Sequence, residues 1–362
     1  MSRLNRMLAG VRVVDLTSYL PGPLATLLLA DLGAEVTKVE PPAGDAVRTL
    51  GPRDAAGRPV YYDAISAGKR SIALDLKTAD GRDAFLALAD AADVVIESFR
   101  PDVMPRLGLA SATLRQRNPR LIYVSLSGYG RDGPYADEPG HDVNYLARAG
   151  ALAVNGAGGR PALIQPQIAD CLGGLFGLTT LVAALFARER DGRGADIDIA
   201  LADVVMPLQV FALAELGATG RSPQRERELL NGGAAYYRIY ATSDGAEVTL
   251  GAIEPRFWAA FCNAAGHPAW IARQAEPLPQ AALIADVARF FGAHTLAECR
   301  ARFEPAQCCW TDMPTLADAV TSDYVRSRDL VRRAARGDAW HALYPARVDG
   351  EPPADRTPHA DD

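Results

Sequence analysis

Apolar positions along the first half of the chain switch repeatedly between a strand period and a helix period. Val11 to Leu16 (VRVVDL) is a β-branched run ending on Asp15 and predicts a buried strand. Pro21-Gly22-Pro23 opens an apolar helical run that stops at Gly33, and the next run, AEVTKVE, reads as strand again. Strand, helix and strand within about 30 residues make a parallel, right-handed βαβ unit. Further strands are predicted in SIALDL after Lys69-Arg70, in ADVVIES ahead of Phe99-Arg100-Pro101, and in RLIYVSLS, which runs into Gly128; a helix starts near Thr78. The repetition predicts an α/β fold of the doubly wound, Rossmann-like kind, whose ligands sit beyond the carboxyl ends of its strands.

The stretch from Gly128 to Gly174 breaks the pattern and holds the candidate chemistry. Gly128-x-Gly130-x-x-Gly133 follows a strand, yet Pro134 and Tyr135 come next, no helix opens, and no acidic residue stands about 20 positions on. It reads as a loop whose backbone approaches a ligand, which disfavours an NAD enzyme. His141 and Asp142 precede the helical run VNYLARAGAL, for which Asp142 suits the N-cap. Asp170 opens an apolar helix reaching Arg188, either as its cap or as a carboxylate that the helix dipole keeps ionised. Gly173 and Gly174 in the first turns call for a close approach.

The second half predicts a short strand and a helix ending near Gly217, then the polar, Arg-rich segment 218–228 as a linker. A hairpin pairs 235–240 with 247–250 around Ser243-Asp244-Gly245, and helices follow at 256–265, 280–291 and 295–303. Glu254, directly before Pro255, reads as a cap of the next helix or as a partner of His141. The Pro/Asp-rich tail from Pro352 is expected to be disordered.

Composition narrows the function classes. A net charge of -6 argues against nucleic acid as a partner. The five cysteines are odd in number and contain no CxxC, which fits neither a disulfide framework nor a zinc site. No signal-like opening and no unbroken run of about 18 apolar residues was found. A cytoplasmic protein with no membrane and no metal is the expectation.

Seven segments together resemble one family: LxGVRVVDL, PGPLATLLLADLGAEVTKVEPP, KRSIALDLK, ESFRPDV, SGYGRDGPY, GHDVNYLA and GGAAYYRIYATSDG. They resemble the class III CoA-transferase superfamily (CaiB/BaiF type), which includes the α-methylacyl-CoA racemases. The resemblance implies a large Rossmann-like domain over 1–217 completed by 326–362, a smaller α+β domain over 229–325, and an interlocked homodimer. It implies an acyl-CoA thioester as substrate and no bound prosthetic group. Arg100 would contact the CoA phosphates. Lys38, Lys69 and Arg70 would line the nucleotide, with Gly128, Gly130 and Asp142 also in the binding set.

In the racemases a His in a GHD motif and an Asp exchange the α-proton through an enolate, and a Glu in a GAIEP segment bonds the His. Here those residues are His141, Asp170 and Glu254. In the transferases the residue matching Asp170 is a covalent nucleophile instead. A non-catalytic acyl-CoA-binding protein is a third reading, against which the three intact residues argue. For the enolate, the expected donors are the helix N-terminus at Asp170 and the backbone amides of the 128–133 loop.

Overall fold

The computed structural model describes residues 2–337 and 339–361. The chain separates into two compact units, one of Met1–Ala149, Ile164–Leu208 and Ser322–Asp362, the other of Gly150–Leu163 and Gln209–Thr321.

The first unit is built on a parallel sheet. Its strands are β1 (Arg12–Leu16), β2 (Glu35–Glu40), β3 (Arg70–Ala73), β4 (Val94–Glu97), β5 (Ile122–Ser127) and β6 (Asp196–Ala200), joined by a closing strand Ala360–Asp361. The spatial order is closing strand, β3, β2, β1, β4, β5, β6. Helices α1 (Pro21–Asp31), α2 (Val60–Ser66), α3 (Ala79–Ala91), α4 (Ser111–Arg117), α5 (Asp142–Arg148) and α6 (Ile168–Asp191) connect them. The inner strands β1, β4 and β5 are buried on both faces, as parallel strands between helices are. Val13, Val36, Ile96 and Val124 face a core shared with Leu29 of α1 and Leu181 of α6. Their neighbours Val14, Val95 and Tyr123 face the opposite core, with Phe85 of α3 and Leu114 of α4. The fold class agrees with the expected α/β architecture.

Three expectations change here. The tail from Pro352 is docked, not disordered. Its closing strand pairs with β3 in parallel, and Arg356 forms a two-pronged contact with Asp31 at 2.8 and 2.6 Å. The open edge of β3 and a buried carboxylate give the tail something to bind. Second, α6 is a 24-residue helix long and apolar enough, by length and composition, to cross a membrane. Polar residues interrupt its sequence, so it contains no unbroken apolar run, and it packs on α1 within the first unit. Third, α6 does carry a close contact at its glycines, but with the protein itself. A Cβ at Gly174 would lie 2.5 Å from the Pro21 carbonyl oxygen, and one at Gly173 would lie 2.1 Å from Leu201.

The second unit contains α7 (Val210–Thr219) and an antiparallel sheet of β7 (Tyr237–Ala241), β8 (Glu247–Gly251) and β9 (Trp310–Asp312). Helices α8 (Pro255–Ala264), α9 (Ala281–Gly292) and α10 (Leu296–Phe303) complete it around an aromatic core. Phe261 stacks on Phe303 and Phe291 with centroids 5.1 and 5.8 Å apart. The segment 218–228 is held in place. Arg225 donates to the carbonyls of Asn155, Gly159 and Ala153, which draws 150–163 into this unit and moves its boundary ahead of 218.

Candidate active site

The turn after β1 is held by buried charge. Asp15 accepts from the Thr17 N–H and hydroxyl at 2.9 and 2.5 Å and from the Thr26 hydroxyl at 2.6 Å. Lys69 lies 3.3 Å from Asp15 and donates to the Pro23 carbonyl, while Lys38 binds Asp45 at 2.7 Å and the Thr17 carbonyl at 2.7 Å. Burial pushes the Asp15 carboxyl up, but Lys69, Lys38 and the two hydroxyls outweigh it and hold it well below the usual range. Burial pulls Lys69 the other way, downward. The two directions describe one pair competing with desolvation, and at neutral pH both partners stay charged.

This arrangement overturns the expectation that Lys38 and Lys69 line a nucleotide. Both side chains are almost wholly inaccessible and spend their donors on the turn. Arg70 begins the short β3 and pairs in register with Thr37, the third residue of β2, and with Ala360, so it stands part-way along the sheet and not at its carboxyl edge.

At the carboxyl edge a cleft of about 480 Å³ lies among the segments following β1, β4 and β5. The sheet order reverses between β1 and β4, which is where doubly wound folds open a crevice. The cleft gathers His141, Asp170, Arg100 and Gly128 from the sequence-derived set, and adds Tyr19 and Tyr145. Gly128 must be glycine because a Cβ there would lie 2.8 Å from the Tyr145 ring. Gly130 is buried below the cleft wall in a left-handed conformation, φ 89°, and does not line it. The loop is pinned to β6, since the Arg131 N–H donates to Asp198 at 3.0 Å and its guanidinium reaches Asp196 at 2.8 Å.

His141 occupies the N-cap position of α5 in extended backbone. Its N–H donates to the Asn144 side chain at 3.0 Å, and its carbonyl accepts the first helical N–H, from Asn144, at 2.8 Å. Asp142 is therefore inside α5 and does not cap it. Its buried carboxylate accepts from the backbone N–H groups of Ala169 and Asp170 at 2.7 and 3.2 Å. Asp142 thus caps α6 from a distant part of the chain and is not exposed to a ligand. It also uses up two N–H groups at the helix start, so these expected enolate donors are spent, as is that of Arg131.

Asp170 sits in the first turn of α6, two residues inside the helix rather than at its cap. Its carboxyl is pushed up to about 6, first by burial and then by the Asp142 charge, with His141 pulling it down. The expectation that the helix dipole would favour the ionised form is overturned, because burial and a neighbouring carboxylate exceed it. Half-buried Cys171 beside it has its thiol pushed up by burial and by the Asp170 charge, which keeps it protonated.

Glu254 belongs to the second unit, where it is exposed ahead of α8 and makes no side-chain capping bond. Tyr19 and Tyr145 were missed by sequence reasoning. Tyr145 stands four residues after His141, one helical turn on, and that spacing was a usable signal. Tyr19 has a φ of 65°, which no local pattern announces. Among the described residues, no group of three or more His, Cys, Asp or Glu is placed to hold a metal ion.

The doubly wound sheet thus brings an imidazole and a carboxyl of raised pKa together at its switch point. The chain belongs to CoA-transferase family III, which it matches over residues 8–360. It is 36% identical over 331 residues to alpha-methylacyl-CoA racemase of Mus musculus, covering 89% of this chain and 81% of that protein. It is also 42% identical over 219 residues to acetyl-CoA:oxalate CoA-transferase of Acetobacter aceti, covering 60% and 56% respectively. A CaiB/BaiF family protein from Brucella suis has a similar solved structure, with TM-score 0.85 and 29% identity over 98% of this chain and 96% of that one.

Proposed function

We propose that the protein epimerises 2-methylacyl-CoA thioesters by removing the α-proton and returning it from the opposite face. The observation that carries this reading is the meeting of His141 and Asp170 in one cleft, with the Asp170 carboxyl pushed up to about 6. A carboxyl in that range is mostly ionised at neutral pH yet basic enough to accept a proton, as a general base requires. In one direction Asp170 takes the α-proton, charge moves onto the thioester oxygen, and the His141 imidazolium returns a proton to the other face. The reverse direction exchanges the roles.

For the CoA moiety, Arg100 stands exposed at the cleft. A neighbouring cleft of about 510 Å³ shares Phe99 and adds the apolar Val39, Leu74 and Leu76 with the cations Lys77 and Arg106. Apolar walls suit an adenine, and the cations suit phosphates. These residues take the place of Lys38, Lys69 and Arg70 in the binding reading. A homodimer is part of the proposal, supported by exposed Phe186 on α6 and Phe211 on α7.

A second reading, CoA transfer between carboxylic acids, is favoured by the likeness to the Acetobacter aceti transferase. There Asp170 attacks the acyl-CoA carbonyl and expels the CoA thiolate to give a mixed anhydride. The thiolate then attacks the aspartyl carbonyl, releasing the acid and leaving an aspartyl-CoA thioester. Incubation with a 2-methylacyl-CoA in heavy water separates the readings. Deuterium uptake at the α-carbon with equilibration of the epimers supports epimerisation; no uptake, together with a CoA-labelled Asp170, supports transfer.

A further inference from the structure

Asn144 holds His141 at the start of α5 in a capping box, its side chain accepting the His141 N–H at 3.0 Å and its backbone N–H facing the imidazole. The aromatic partner of the ring is Tyr19, with centroids 6.3 Å apart and planes at 83°. Tyr19 holds this place in a left-handed backbone conformation, φ 65°, that a bulky side chain rarely adopts. The residues before it are fixed from below. Lys38 grips the Thr17 carbonyl, Asp15 accepts twice from Thr17, and the Ser18 N–H donates to Ser98 at 3.0 Å. A glycine would suit that backbone better, yet the chain keeps an aromatic ring, half exposed, on the wall of the cleft. Strain retained at a site and paired with a contact there points to a role for the side chain.

We infer that Tyr19 is a positioning residue for His141, its ring limiting the swing of the imidazole so that one nitrogen stays aimed into the cleft. The buried set Asp15, Lys38, Asp45 and Lys69 serves as the anchor of that ring, which gives the two lysines a task other than ligand binding. The inference rests on the reading of His141 as one of the two bases. Edge-to-face ring contact does not need the phenol oxygen, so the ring and not the hydroxyl carries the effect.

The test compares Tyr19→Phe, Tyr19→Leu and Tyr19→Gly in the full-length protein. The glycine variant relieves the backbone and guards against a folding defect. Imidazole proton resonances of His141, assigned by their loss in His141→Ala, report the contact whatever the reaction. They are expected to shift in the Leu and Gly variants and to stay in place in the Phe variant. In the heavy-water assay kcat for α-proton exchange is expected to fall by up to about 10²-fold in Leu and Gly, the scale of a misplaced catalytic group. KM should be nearly unchanged, Phe should restore the rate, and Tyr19→Leu should add nothing in a His141→Ala background. Unshifted His141 resonances, a Leu variant of wild-type kcat, or a Phe variant as slow as Leu would each overturn the inference. Absence of exchange in the wild type overturns the epimerisation reading instead, and the resonance comparison then decides the Tyr19 contact alone.

Discussion

Asp170 is a residue whose placement works against the fold. Its folded-state value of about 6 lies above the ordinary 3.8, so the unfolded chain ionises first as pH rises. Between those values the folded protein holds the extra proton, and stability falls with rising pH; above about 6 the full cost is present. Asp170→Asn is therefore expected to raise stability at pH 7 by on the order of 1–2 kcal/mol once solvent screening of this partly exposed group is discounted, with no gain below pH 4. Denaturant melts at the two pH values check the sign. The same substitution should lower α-proton exchange roughly 10²–10⁴-fold, and the wild-type rate should rise through a limb near pH 6. At this scale the sequence was informative about identity and poor about surroundings. GHD and the later Asp marked His141 and Asp170, but only the three-dimensional setting, burial first and the Asp142 charge second, sets the charge state of Asp170. Lys38 and Lys69 misled for a related reason, since a cation at a strand end looks alike in sequence whether it faces phosphate or a buried carboxylate.

Between α5 and α6 the decisive device is a cap supplied in trans. Asp142→Ala should leave the Ala169 and Asp170 N–H groups without their partner and cost roughly 1–2 kcal/mol, measurable by denaturant unfolding. Asp142→Asn keeps a carbonyl oxygen for those N–H groups but removes a charge that raises Asp170. Its pH–rate limb is expected to move to lower pH, with exchange retained. Gly174→Ala should destabilise by roughly 1–3 kcal/mol, because the obstructing atom is backbone of α1 and cannot turn aside. The glycines at 173 and 174 were legible as a demand for close approach. Which partner approached was not, because the packing of α6 on α1 joins residues far apart in sequence.

Across the whole molecule, the alternation of apolar strands and helices was enough to read the sheet, since parallel strands buried on both faces leave unbroken β-branched runs. The tail was not readable that way. Its closing strand is two residues long and its attachment depends on Arg356 reaching Asp31. Arg356→Leu should leave a buried carboxylate unpaired and cost roughly 3–5 kcal/mol, and adding Asp31→Leu should recover most of the loss. Thermal melts of the single and double variants decide it.

The docked tail also bears on how the protein is made and handled. Synthesis runs from the amino end and domains tend to fold as their residues emerge. Here β3 is displayed with a bare edge until residue 360 can reach it, after the entire second unit has been produced. Early forms of the first unit thus carry an open template for pairing with other chains. An affinity tag fused after the closing strand would crowd that last joint, whereas one placed ahead of β1 would leave it free to close.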